Sequence, residues 1–325
     1  MSPVKLDAEW APVWQVISSF PKPVINDVFD QRKASNIALK AANEPLVIPD
    51  NITETKHTIT SLDGASIDVH QFVPAAAAAA AAADSKPQRA LLYAFGGGMI
   101  AGSIDIWRKH IQDLAHANGA QVFAVHYRLA PEHPAPAAVE DFYAAAAWLQ
   151  ARAASFNVDP RRVILYGGSA GGGIAAGTAL LIRDKGELIP PAALLLVYPM
   201  LDDRTVLSAD SPVQDFLIWK SKANDLAWAA YLGNERDERT DENVSIYSAP
   251  ARAKDLSGLP DTYIDVGALD LFVYEDLEFA RRLTAAGVST EFHLYPGVPH
   301  GFESARHIQV VKEAISHRSK FLAKY

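Results

Sequence analysis

The sequence contains no cysteine among its 325 residues. Disulfide bonds, thiolate nucleophiles and cysteine-ligated metal sites are therefore excluded, and the composition suits a reducing compartment. Long apolar runs are also absent, because no stretch of about 18 residues is free of strong polar breaks. The first ten residues carry Lys5, Asp7 and Glu9 and no apolar core. We therefore expect no signal peptide, no membrane partner and a cytoplasmic protein.

Basic residues are few, since 30 Lys and Arg stand against 38 Asp and Glu, for a formal net charge of −8. They form no basic block, so we expect no nucleic-acid partner. Apolar residues make up 49% of the chain, which is ample for a core. We expect residues 1–325 to form a single α/β domain.

Apolar runs typical of strands alternate with helical patterns over most of the chain. The strand-like runs cover residues 56–61, 65–73, 89–95, 121–127, 162–166, 192–198, 259–266 and 290–295. The helical patterns cover residues 25–42, 137–153, 174–182, 274–286 and 304–323. The first two strands are joined by a hairpin signal, Leu62-Asp63-Gly64. This alternation predicts a mostly parallel central sheet of about eight strands with helices on both faces.

Two segments break this alternation, residues 1–45 and residues 203–240. Aromatic side chains occur in both, among them Trp10, Trp14, Phe216 and Trp219. We interpret them as a helical cap over the sheet and call them the first and the second cap segment.

An unbroken alanine run occupies residues 75–83. Alanine favours helix, but nine residues without an apolar stripe make a marginal one. We interpret the run as a surface excursion between strands and assign it no chemistry.

A glycine-flanked serine lies where a strand-like run meets a helical pattern, in Tyr166-Gly167-Gly168-Ser169-Ala170-Gly171-Gly172-Gly173. This is the context that a G-x-S-x-G nucleophile elbow requires. A β-carbon at Gly167 or Gly171 would collide with a neighbouring strand or helix in so sharp a turn. The turn exposes the Ser169 hydroxyl at the carboxyl edge of the sheet. It also directs the N–H of Ala170 at any charge that forms there.

A serine nucleophile needs a histidine base, and four histidines follow it: His293, His300, His307 and His317. His293 lies within the last predicted strand, and His307 and His317 lie on the predicted closing helix. His300 alone occupies a loop after a strand, at the same sheet edge as Ser169. Position and chain order therefore favour His300.

The base needs an orienting acid, which should follow the preceding strand. Asp270 comes just past that strand, and Asp276 lies on the helix after it. We favour Asp270 and keep Asp276 as the alternative, because Asp270 could instead be a helix N-cap.

A triple glycine, Gly96-Gly97-Gly98, ends the predicted strand at residues 89–95. We call residues 95–102 the glycine loop. Its residues alone do not separate a loop that donates N–H groups to an oxyanion from a flexible turn.

The sequence resembles the hormone-sensitive-lipase-like branch of the α/β-hydrolases, which includes microbial carboxylesterases and arylacetamide deacetylase relatives. The matching blocks, in the family's order, are Phe95-Gly96-Gly97-Gly98, Tyr127-Arg128-Leu129-Ala130-Pro131-Glu132-His133-Pro134, Gly167-Gly168-Ser169-Ala170-Gly171-Gly172, Gly258-Leu259-Pro260 with Asp270, and Tyr295-Pro296-Gly297-Val298-Pro299-His300-Gly301-Phe302. They extend over residues 90–302 and are together highly specific.

The resemblance implies a catalytic triad of Ser169, His300 and Asp270 and an oxyanion hole formed by the N–H groups of Gly97, Gly98 and Ala170. It implies hydrolysis of short-to-medium acyl or aryl esters of small molecules, with no metal or cofactor. It also implies a cap built from the two segments named above. The oligomeric state is open, with a homodimer as one candidate.

Two positions depart from the family pattern. Phe95 replaces the histidine that usually opens the glycine motif, and Gly168 replaces the usual acidic residue before the serine. The first change puts the preorganisation of the glycine loop in question, although neither removes a triad residue. We predict that Trp14, Phe95, Phe216 and Trp219 contribute to substrate binding.

Two other functions use the same fold. Plant gibberellin receptors resemble this branch and lack the catalytic histidine, so a non-catalytic binding protein is one alternative, against which His300 argues. A lactonase or acyltransferase with the same triad is the other.

Overall fold

The computed structural model describes residues 4–48, 51–83 and 86–325. Residues 1–3 of the first cap segment lie outside the described residues. The strands are β1 (Ile52–Thr60), β2 (Ser66–Pro74), β3 (Gln88–Ala94), β4 (Gln121–His126), β5 (Val158–Gly168), β6 (Ala193–Val197), β7 (Asp261–Gly267) and β8 (Thr290–Tyr295). The α-helices are α1 (Trp10–Ser19), α2 (Val28–Asn43), α3 (Ala75–Ala83), α4 (Ile104–Asn118), α5 (Ala137–Arg152), α6 (Ala170–Lys185), α7 (Ser221–Leu232), α8 (Val273–Ala285) and α9 (Gln309–Leu322).

The eight strands form one sheet in the order β1-β2-β4-β3-β5-β6-β7-β8. β2 runs antiparallel to both β1 and β4, and the strands β4, β3, β5, β6, β7 and β8 are parallel to one another. The predicted mostly parallel sheet is therefore confirmed, as is the hairpin between β1 and β2. Because β3, β5, β7 and β8 are parallel, the loops that follow them emerge at one edge of the sheet.

The central strands are buried on both faces, which explains their continuous apolar runs. Every residue of β6 is buried, and so is Leu91 to Ala94 of β3. α5 and α6 pack together on one face of the sheet, and α4 and α9 contact each other on the other. These two helical layers hold the strand ends, and the loops after them, in fixed positions.

The alanine run is the excursion between strands that the sequence predicts: it folds as helix α3 between β2 and β3, is largely exposed over residues 75–79, and packs on β2 through Ala77. Two other expectations from the sequence were wrong in detail. The closing helix α9 begins at Gln309, because the 3₁₀ turn Phe302–Ser304 is followed by a non-helical turn over residues 305–308. His307 consequently lies before α9 and not on it.

Both cap segments contain helices. The first carries α1 and α2, and the second carries α7 together with short 3₁₀ turns. The segments touch where Trp14 of α1 meets Phe216, with ring centroids 5.9 Å apart. Lys222 of α7 also donates to the carbonyl oxygen of Ile25 at 3.0 Å. Among the described residues, no helix is long and apolar enough to cross a membrane.

Candidate active site

Ser169 lies at the corner between β5 and α6 in a strained backbone conformation, with φ 55° and ψ −122°. Its N–H donates to the carbonyl oxygen of Val197 at 2.8 Å. Its own carbonyl oxygen accepts from the N–H groups of Gly172 and Met200, each at 2.9 Å. The backbone on both sides of the serine is therefore fixed, and so is the direction of the side chain.

The glycines around Ser169 are required by close backbone contacts. A Cβ on Gly167 would lie 2.1 Å from the carbonyl oxygen of Gly171, and one on Gly171 would lie 2.1 Å from that of Ala94. The predicted collisions are thus confirmed. Gly168 differs, because a Cβ there would meet nothing closer than Val197 at 3.9 Å.

The His300 ring lies between Ser169 and Asp270. Its Nε2 is 3.0 Å from the Ser169 hydroxyl oxygen, and its Nδ1 is 2.7 Å from one Asp270 carboxylate oxygen. The other Asp270 oxygen accepts the Phe272 N–H at 3.0 Å, and the side chain is fully buried. An Nδ1–H that donates to the carboxylate leaves Nε2 as an acceptor facing the hydroxyl, which is the tautomer that a general base needs.

The other candidates lie elsewhere. His293 and His317 stack on each other with ring centroids 4.4 Å apart, between β8 and α9. Asp276 is fully buried on α8, and neither of its carboxylate oxygens has a hydrogen-bond partner among the described residues. Burial, together with the negative charges of Glu275 and Asp270, raises the pKa of Asp276 well above its usual range.

Tyr198 supports the His300 ring, and sequence reasoning missed it. The centroids of the Tyr198 and His300 rings lie 4.4 Å apart, and the Phe272 ring meets the imidazole edge to face with a centroid distance of 5.3 Å. The Tyr198 hydroxyl donates to the Glu303 carboxylate. Burial raises the pKa of Tyr198 well above its usual range, so the hydroxyl keeps its proton. The position of Tyr198 at the end of β6 was the signal that could have identified it.

The carbonyl groups of the glycine loop are held from within the protein. The Tyr127 hydroxyl donates to the Phe95 carbonyl oxygen at 2.8 Å, and the Trp107 indole N–H donates to that of Gly96 at 3.1 Å. The Gly97 carbonyl oxygen accepts two backbone N–H groups of the following turn. The loop is therefore a fixed turn and not a flexible one.

Two amide groups of the same loop, those of Gly97 and Gly98, are free to donate. Gly97 and Gly98 have φ values of 142° and 63°, and their N–H groups bond to no acceptor within the part of the chain described. Ala170 is the first residue of α6, where an N–H has no partner inside the helix. Three N–H donors without a partner among the described residues suit the stabilisation of an oxyanion.

The predicted substrate-binding aromatics divide into two groups. Trp14 and Phe216 pair between the cap segments, and Trp219 covers the glycine loop so closely that a Cβ on Gly98 would lie 2.7 Å from its ring. Phe95 is fully buried and stacks on Tyr127 at 4.2 Å. Phe95, the first residue of the glycine loop, is thus part of the core, whereas the other three lie in the cap segments.

No group of three or more His, Asp or Glu side chains suited to a metal ion occurs in residues 4–48, 51–83 and 86–325. The site residues described above can transfer a proton between Ser169 and His300 and can donate N–H groups to an anion.

The chain is similar to known esterases in sequence. A family model described as the α/β-hydrolase fold matches residues 91–304. The chain is 36% identical over 225 residues to the esterase LipI of Mycobacterium tuberculosis, which covers 67% of each protein. It is 38% identical over 226 residues to the carboxylesterase NlhH of the same species, which covers 65% of this chain and 66% of the relative. The chain thus aligns with about two thirds of the length of these relatives.

Solved structures match over more of the chain. A bacterial heroin esterase superposes with a TM-score of 0.84 at 31% identity, covering 98% of both chains. A hyperthermophilic esterase from the archaeon Pyrobaculum calidifontis gives a TM-score of 0.83 at 27% identity, again over 98% of both chains.

Proposed function

The chain belongs to the α/β-hydrolase family, in its hormone-sensitive-lipase-like esterase branch, and on that basis we propose that it is a serine carboxylesterase with Ser169 as its nucleophile. One observation carries this proposal. Ser169, His300 and Asp270 form a continuous hydrogen-bonded chain of 3.0 Å and 2.7 Å at a strained strand-to-helix turn.

In the acylation step, the Ser169 hydroxyl oxygen attacks the carbonyl carbon of the ester while His300 Nε2 takes its proton. The carbonyl oxygen becomes an oxyanion, which accepts hydrogen bonds from the N–H groups of Gly97, Gly98 and Ala170. Asp270 stabilises the imidazolium and holds its orientation. The tetrahedral intermediate then collapses, and His300 returns the proton to the leaving alcohol.

In the deacylation step, His300 takes a proton from water as that water attacks the acyl-enzyme on Ser169. The same N–H groups hold the second oxyanion. Collapse releases the carboxylic acid and returns the proton to Ser169, so each cycle consumes one water.

The substrates we propose are small esters with short-to-medium acyl or aryl groups. The relatives' names support an ester, and Trp14, Phe216 and Trp219 supply apolar surface at the two cap segments. We further propose that residues 1–325 act as one catalytic domain, with those segments as its cap. The hydrogen bonds of His300 to Ser169 and Asp270 argue against a non-catalytic receptor. A lactonase or acyltransferase would be distinguished by its products.

The test is p-nitrophenol release from the acetate, butyrate and octanoate esters, with wild type beside Ser169→Ala. The proposal expects turnover by the wild type that is lost in the variant, and the chain-length profile measures the acyl site. Equal rates for the two proteins on all three esters would overturn it.

A further inference from the structure

Helix α2 of the first cap segment bonds directly to the far end of the glycine loop. The Arg32 Nε donates to the carbonyl oxygen of Ile100 at 2.5 Å. One turn further along α2, the Asn36 side-chain oxygen accepts the Gly102 N–H at 2.8 Å. Two side chains of one cap helix thus hold one carbonyl and one amide of the loop that presents the oxyanion donors.

Arg32 also ties the glycine loop to the segment after β4. Its Nη2 donates to the Ala130 carbonyl oxygen at 2.6 Å, and the Ala130 N–H donates to the Met99 carbonyl oxygen at 3.0 Å. The guanidinium makes a two-pronged pair with Glu132, at 2.6 Å and 2.5 Å, and lowers the pKa of that carboxyl to about 2. A planar fork with five donors is the side chain suited to this arrangement.

The loop needs such anchors because one of its residues has a strained backbone. Gly97 and Gly98 adopt their positive φ values at little cost, but Met99 is not a glycine and has a φ of 59°. Such backbone persists only where its surroundings fix it. Tyr127 and Trp107 hold the start of the loop, whereas Arg32 and Asn36 hold its end.

We propose that Arg32 and Asn36 are positioning residues that couple the seating of the cap helix to the geometry of the oxyanion hole. This inference rests on the proposed esterase function. It also explains how the glycine loop is held although Phe95 replaces the histidine that usually opens the motif. Arg32 and Asn36 anchor the loop from the cap instead. A cap that lifts away releases the end of the loop, so the oxyanion hole is complete only when α2 is seated.

The test compares Arg32→Met and Asn36→Ala with matched controls on the cap. Lys222→Met removes a cap hydrogen bond to Ile25. Asn43→Ala removes an amide on α2 whose one side-chain bond within the described residues goes to the Leu39 carbonyl. We would measure kcat and KM on p-nitrophenyl butyrate, the inhibition constant of an alkyl boronic acid, and the melting temperature.

The proposal predicts that Arg32→Met lowers kcat by about tenfold to a hundredfold, with a smaller change in KM. The boronic acid forms a tetrahedral adduct on the serine, and its inhibition constant rises by a similar factor. Arg32→Lys gives an intermediate kcat, since one ammonium cannot reach all the acceptors. Asn36→Ala shows a smaller loss of the same kind, and both controls keep kcat within about twofold.

A purely structural role for Arg32 would lower the melting temperature and leave kcat and the inhibition constant unchanged below it, which would overturn the proposal. If Arg32→Met does not fold, Asn36→Ala against Asn43→Ala decides. An inactive wild type would refute the esterase function itself, whereas an active wild type with fully active Arg32 and Asn36 variants would refute only this inference.

Discussion

Two carboxyl groups six residues apart, Asp270 and Asp276, have opposite environments. Asp270 accepts hydrogen bonds from His300 and from a backbone N–H, whereas Asp276 is buried without a partner in the described chain. The sequence ranked Asp270 first because it follows the end of β7 directly. It could not exclude Asp276, because a helix turn decides which side chain faces the histidine. Tyr198 and Glu303 were also missed, since their pairing depends on where the loop after β8 folds.

We predict that Asp270→Asn lowers kcat by about 10²- to 10⁴-fold, because the amide neither stabilises the imidazolium nor maintains the Nδ1–H tautomer. Asp276→Asn, the matched control, should keep kcat within about threefold. Steady-state kinetics on p-nitrophenyl butyrate measure both. A larger loss in Asp276→Asn than in Asp270→Asn would reverse the assignment.

We also predict that Asp276→Asn changes the pH dependence of stability. The folded-state pKa of Asp276 is raised, so its contribution to stability is present below the unfolded pKa of about 4 and is lost as pH rises toward the folded value. The Asp276→Asn variant has no carboxyl group at this position, so it does not lose this stability as pH rises. Its melting temperature relative to wild type should therefore rise by a few degrees between pH 4.5 and pH 8.

Thermal denaturation of both proteins at the two pH values checks this, and any effect of the amide that does not depend on pH cancels in the difference. A constant difference in melting temperature would show that Asp276 is ionised when folded.

At the scale of elements, the elbow and the glycine loop were predictable to different extents. The strand, the turn and the helix around Ser169 follow from local pattern, and the glycine contacts confirm the reason for each glycine. The glycine loop could not be distinguished from a flexible turn, because the donors that fix its carbonyl groups, Tyr127 and Trp107, lie outside it. The start of α9 was placed too early, because helical propensity continues through the non-helical turn at residues 305–308.

We predict that Gly97→Ala reduces kcat/KM by about a hundredfold or more and also lowers stability. A Cβ there would lie 2.1 Å from the Ala101 carbonyl oxygen, at a φ of 142° that alanine rarely adopts. Gly168→Ala is the control, since its Cβ meets only Val197 at 3.9 Å, and we expect it to retain activity and melting temperature. Equal losses in both variants would mean that the contacts of the glycine loop do not determine activity.

At the scale of the whole molecule, the sheet could be predicted because each buried strand has an apolar run in its own sequence. The contacts of the cap are different, because they join distant residues. Arg32 and Glu132 are 100 residues apart, and Trp14 meets Phe216 from the other cap segment. No local pattern specifies such pairs, so the sequence predicted that a cap exists but not what it touches.

We predict that Trp14→Ala lowers kcat/KM for p-nitrophenyl octanoate by about tenfold while it leaves acetate within about threefold, because the lost aromatic contact affects only a long acyl group. Val16→Ala, an exposed position on the same helix, should change neither. Equal losses on the two esters would place Trp14 outside the acyl site.

The most direct test of the central claim is the identification of the nucleophile. Diethyl p-nitrophenyl phosphate reacts with an activated serine, which displaces p-nitrophenolate and leaves a diethyl phosphoryl group on the oxygen. Our account predicts one adduct per chain, found by peptide mass spectrometry on Ser169, with esterase activity lost in proportion to labelling. An adduct on another residue that abolishes activity, or full activity after Ser169 is labelled, would contradict it.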